Sequence, residues 1–208
     1  VIRSELLVDE GDPFTNINLD KSVAKIKSRN IFNKVTTKIS NGSANNLKII
    51  DINVEEKPTG EISAGAGVGT NGGSVAITVQ ENNWLGEGKN MSFALELDQE
   101  SISGGLSFIN PNYDNLGNSL RYFVNSTSSD KPNQGYENSI VSTGISTSFE
   151  QFKNVFASIG LEASYDDLKT LSNATDNLKK QSGTFNEVSG IYGFTFDERN
   201  RTFMPTDG

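Results

Sequence analysis

From Gly60 onward, apolar and polar residues take alternate places along the chain, the period expected of strands with one greasy and one wet face. Ile62, Ala64, Ala66 and Val68 alternate with Glu61, Ser63, Gly65 and Gly67. Val75, Ile77 and Val79 alternate with Ser74, Ala76, Thr78 and Gln80, and Met91, Phe93, Leu95 and Leu97 with Ser92, Ala94, Glu96 and Asp98. Further sets are Ile102, Leu106 and Phe108; Leu120, Tyr122 and Val124; Val141, Ile145 and Phe149; Val155 to Tyr165 at every second place; and Val188, Tyr192, Phe194 and Phe196. Phe123 alone breaks the rule in its stretch. The pattern predicts about eight consecutive antiparallel strands, each about ten residues long, enough to cross a bilayer when tilted. Soluble sandwiches also alternate, but their strands are commonly about five or six residues. The polar face carries Ser, Gly, Gln, Glu, Asn and Arg, as a wet lumen would.

Residues 1–57 have a different texture. Ile2 and Leu6 suggest a short helical turn or two before Gly11-Asp12-Pro13 breaks it. Asn18 is the expected cap of a second helix, with Asp20 in its first turn and Leu19, Val23 and Ile26 as its apolar stripe. Two strands follow, Val35, Thr37 and Ile39 in one and Ile50, Ile52 and Val54 in the other, with Asn41-Gly42 opening the loop between them. Two helices and two strands make a thin core, and a strand before Val1 would complete it. The chain therefore reads as a piece of a longer one, with a boundary near Pro58.

The connections sort into two sides. Asn82–Lys89, Asn110–Asn118, Phe149–Asn154 and Asp197–Gly208 carry Trp84, Tyr113, Phe149, Phe152 and Phe203. Trp84, Tyr113, Phe152 and Phe203 are expected at a lipid–water boundary. Thr70–Gly73, Asp98–Ser101, Ser128–Glu137 and Asp166–Phe185 are polar and grow longer. Short turns inside and long loops outside is the habit of outer-membrane barrels, which places the N-terminal region in the periplasm.

Hydrophobic residues are only 34% of the chain, and no apolar run reaches the ~18 residues of a spanning helix. Cysteine and histidine are both absent, which removes disulfides, thiolate zinc sites and Ser-His or Cys-His catalysis from these residues. A formal charge of −8 opposes nucleic acid as a partner. No metal, cofactor or catalytic site is expected. Gly67-Val68-Gly69-Thr70-Asn71-Gly72 matches a dinucleotide-binding motif by letter, but a strand follows where that motif needs a helix. Asp166-Asp167 and Asp197-Glu198 read as solvated loop charge. Gly65, Gly67 and Gly69 on one face of one strand give either a bend or a strand built to pair weakly.

Four stretches, in order, resemble the BamA family of outer-membrane assembly factors. Val54-Glu55-Glu56-Lys57 with Gly60 is similar to the junction from a last POTRA domain into the first barrel strand. Asn82 to Gly88 and Asn110-Pro111-Asn112-Tyr113 resemble the first two periplasmic turns. Phe196 to Asn200 leading to Phe203-Met204-Pro205-Thr206-Asp207-Gly208 resembles the turn at mid-barrel. The resemblance implies a partial α+β POTRA domain over residues 1–57 and the first half of a transmembrane β-barrel over 58–208.

The resemblance also implies a function: non-enzymatic insertion of β-barrel proteins into the outer membrane, by strand templating at a weak lateral seam. The seam strand would be Gly60, Ile62, Ala64, Gly65, Ala66, Gly67, Val68 and Gly69. Lys34, Val35, Thr36, Thr37, Lys38 and Ile39 would be a POTRA edge strand open to β-augmentation, guarded by its lysines. Implied partners are unfolded outer-membrane proteins, periplasmic lipoprotein subunits of an assembly complex, and outer-membrane lipid. Rival readings are a related translocation or two-partner secretion transporter, or a porin-like channel.

Overall fold

A computed structural model describes residues 1–44, 46–69 and 72–198. A single 3-10 turn, Arg3–Glu5, precedes helix α1, Asn16–Ser28. A two-stranded antiparallel sheet follows, β1 (Phe32–Asn41) and β2 (Lys48–Glu56). The first expected helix is thus one turn only. The cap of α1 is Thr15, whose hydroxyl accepts from the Asn18 N–H at 3.2 Å, so Asn18 lies inside the helix and no carboxylate occupies its first turn. Both residue types can cap; the threonine has the extended backbone that a cap requires. Leu19, Ile26 and Ile31 are buried, and Val23 is half-buried. The buried Ser22 hydroxyl accepts from the Leu7 N–H at 2.9 Å and donates to the Asn18 carbonyl at 2.8 Å, pinning the N-terminal segment along the helix.

The rest is one open antiparallel meander of eight strands: β3 (Gly60–Gly69), β4 (Gly72–Trp84), β5 (Lys89–Asp98), β6 (Ser101–Asn110), β7 (Ser119–Lys131), β8 (Tyr136–Phe152), β9 (Val155–Thr170) and β10 (Gly183–Phe196). Each pairs with its neighbours in sequence, so β3 and β10 are the edges and the sheet is not closed. A four-residue helix, α2 (Asp176–Lys179), interrupts the β9–β10 connection. Several connections are shorter than expected because the strands run on. β8 continues through Phe152, leaving Lys153 and Asn154 as its turn, and β9 continues through Asp166 to Thr170.

Register aligns the two faces of every strand. One row joins Val188, Ala163, Thr143, Val124, Leu106, Phe93, Val79 and Ile62 across all eight strands. The next row on the opposite face joins Glu187, Ser164, Ser142, Asn125, Gly105, Ala94, Thr78 and Ser63. A soluble sandwich would bury the first row. Here the order is inverted along β4: Val75, Ile77 and Val79 are exposed while Ser74, Ala76, Thr78 and Gln80 are half-buried. The greasy face is the convex outside and the polar face the concave inside, the arrangement of a wall whose exterior meets lipid. Among the described residues no helix is long and apolar enough to cross a membrane.

Phe123 explains its own irregularity. It lies on the concave face opposite Gly144 in register, and a Cβ on Gly144 would stand 2.5 Å from its ring. Phe123 is therefore buried against bare backbone, and the Arg121 guanidinium sits 5.0 Å from the ring centroid, a cation–π distance.

Candidate functional site

Two places stand out: the free edge of β3, and the joint between the N-terminal segment and the turns beside it. Every described residue of β3 is exposed, Ile62 at 76% and Val68 at 92%. Among the described residues the strand pairs on one side only, by a regular ladder to β4 from Gly60↔Glu81 to Gly69↔Gly72. On its concave face, side chains added at Gly65 or Gly69 would meet nothing within 4 Å. With so little packing, what holds the strand is chiefly the backbone ladder. At its base the Thr59 hydroxyl donates to the Glu81 carboxylate, and the Asn82 amide donates to the Thr59 carbonyl at 3.3 Å, which pins the start of the strand; beyond it the ladder to β4 runs on to Gly69. The Gly67–Gly72 motif is the β3–β4 hairpin with no helix after it; Thr70 and Asn71 lie outside the described residues.

In the N-terminal segment, Lys34 to Ile39 fall within β1, which pairs only with β2 among the described residues. Among the described residues β2 likewise has no second strand partner. Trp84 ends β4 and Phe152 ends β8, and Tyr113 lies in the β6–β7 turn; all three are exposed at the same end of the sheet. Phe203 lies outside the described residues. The Asp166-Asp167 pair is split between the two faces of the sheet, with Asp167 3.4 Å from the Lys169 ammonium. Among the described residues no cluster suited to a metal ion occurs.

The joint was not foreseen from the sequence. Arg29, just past α1, donates from Nη2 to the Gly88 carbonyl at 2.6 Å and lies 3.6 Å from the Glu5 carboxylate. Both side chains are largely buried. Burial lowers the Arg29 guanidinium from its ordinary value, and the Glu5 charge pulls it part of the way back. The Asn112 amide of the β6–β7 turn donates to the Ser4 carbonyl at 3.1 Å and to Glu5 at 3.4 Å, while its oxygen accepts from Gly117. Residues 5, 29, 88 and 112 share no local pattern, so no sequence signal links them.

Residues 83–208 match the model of the Omp85 superfamily domain, more than half of the chain. The chain belongs to the Omp85 superfamily. This Omp85 chain is 24% identical over its whole length to the outer membrane protein assembly factor BamA of Neorickettsia risticii, of which it covers 28%. It is 26% identical over 79% of its length to BamA of Neisseria meningitidis, covering 19% of that protein. A putative outer membrane protein assembly factor of Treponema pallidum is 30% identical over 52% of the chain. Among solved structures, BamA from Haemophilus ducreyi lacking POTRA domains 1–3 superposes with a TM-score of 0.76 at 19% identity, covering all of this chain and 43% of that one. CdiB from Acinetobacter baumannii gives 0.50 at 13% identity over 95% of this chain and 40% of CdiB. The Omp85 chain thus spans at most 28% of the curated relatives named here. Its open eight-stranded sheet resembles part of the BamA barrel.

Proposed function

We propose that this chain forms part of an outer-membrane factor that assembles and inserts β-barrel proteins, using β3 as a templating edge. The observation that carries the reading is the make-up of β3 itself, with Gly60, Gly65, Gly67 and Gly69 in ten residues and nothing within 4 Å of a side chain added at Gly65 or Gly69. An unpaired edge presents backbone donors and acceptors that another strand can satisfy, and inside lipid it must be satisfied. An incoming strand would pair with β3 through main-chain bonds, tolerant of side-chain sequence, and be released because few contacts hold that edge. No covalent chemistry or cofactor is needed. Unfolded outer-membrane proteins are the substrates, and lipoprotein subunits dock on the periplasmic side. Residues 1–57 act as the end of a POTRA domain, with Lys34–Ile39 an edge for extended peptides.

A secretion transporter is the second reading, favoured by the likeness to CdiB; the closer superposition on BamA supports the first.

The test is disulfide trapping in the full-length protein. Cysteines placed within Gly60–Gly69 and in the last barrel strand should crosslink in intact membranes and arrest growth until reduced. Absence of the crosslink, with both single-cysteine proteins inserted normally, removes the seam.

A further inference from the structure

We propose that Arg29, Glu5 and Asn112, together with the Gly88 carbonyl, form a latch that sets the angle between the N-terminal segment and the strand sheet. This does not rest on the templating edge. The latch joins three stretches remote in sequence. Arg29 reaches the β4–β5 turn at Gly88, and Asn112 of the β6–β7 turn reaches back to Ser4 and Glu5. The Arg29–Glu5 pair, with side chains 14% and 10% exposed, sits between them and serves both.

Three features mark it as a latch rather than ordinary packing. First, beside it lies a crevice of about 360 Å³, lined by Ile2, Ile31, Phe32, Glu56, Asn83 and Gly86. The crevice opens to solvent, so beside the latch the two parts meet through directed polar bonds rather than through continuous packing. Second, a buried ion pair contributes little net stability, because both ions regain hydration when it separates, but its geometry is exacting. Such a contact fixes one arrangement without making others prohibitive. Third, Gly88 is shaped for the guanidinium. It adopts φ +65, and a Cβ there would lie 2.9 Å from Arg29 Nη2. The missing side chain makes room for the guanidinium and for Val1, whose Cγ2 would stand 3.1 Å from that Cβ, and lysine cannot imitate the guanidinium at both acceptors.

Double electron–electron resonance on the full-length protein in nanodiscs tests the latch. Spin labels go on Lys38→Cys in β1 and Leu116→Cys in the β6–β7 turn, both exposed, in a background otherwise free of cysteine. The wild-type latch should give one narrow distance. Arg29→Met, which keeps length but loses every polar bond, should broaden the distribution or add a second distance at least twofold wider, with Arg29→Lys between the two. The folded band on unboiled gels should not change. A narrow, unshifted distance in Arg29→Met overturns the proposal. If that variant does not insert, Glu5→Gln takes its place, and an unchanged distribution there overturns it equally. Seam crosslinking reports on a different contact, so the two readings fail separately.

Discussion

Phe123 shows how a single residue can contradict a pattern for a reason. Its place among polar neighbours is that of a ring laid over Gly144, where the missing side chain makes the space. A Cβ at Gly144 would also stand 2.8 Å from the Leu161 carbonyl, so neither ring nor backbone can both stay put. Gly144→Val should therefore lower the temperature at which the folded band of the full-length protein is lost on unboiled gels, at a cost of about 2 kcal/mol or more. Gly65→Val is the matched contrast, because that position faces open space. It should leave the folded band intact but slow substrate insertion in proteoliposomes, since a branched side chain stiffens the edge. Equal thermal losses from both would count against the different roles assigned to the two glycines. The Phe123 exception was visible in the sequence; its cause was not, because Gly144 is its partner only through register.

At the scale of the strand, the period of two was legible because lipid and water impose it without help from tertiary detail. Val75, Ile77 and Val79 face outward and Thr78 inward, as read from the letters. Arginine at any of the three should impair membrane insertion, by roughly 2–4 kcal/mol near the bilayer centre, whereas Thr78→Arg should be tolerated. Heat-modifiability of the membrane fraction reads both, and equal effects on the two faces would remove lipid from the outside of the sheet. The strand ends were less legible. Ser128–Lys131, Tyr136–Ser139 and Asp166–Thr170 belong to strands but use the polar residues of loops, because beyond the belt both faces meet water. The cap at Thr15 was missed because Asn18, three residues on, is an equally good capping residue by type. The four-residue α2 is too short to leave a helical period.

For the whole molecule, the meander order followed from the run of strands, since short connections pair neighbours. The joint at Arg29 did not follow, because it assembles from a helix end and two turns that no spacing rule relates. The wall itself is uneven: β3 runs Gly60–Gly69, whereas β8 runs Tyr136–Phe152 and β9 Val155–Thr170. The tall part is braced at its top, where the Leu171 N–H donates to the Gly135 carbonyl at 2.8 Å and the Asn173 amide to the Pro132 carbonyl at 2.8 Å. Counted from the cross-strand row through Ile62, Thr143 and Ala163, β3, β8 and β9 all run seven residues toward these loops, whereas toward the turns β3 runs two (to Gly60), β8 nine (to Phe152) and β9 eight (to Val155). The extra length of β8 and β9 thus hangs on the turn side as a skirt, and anything arriving from that side finds the sheet cut back at β3.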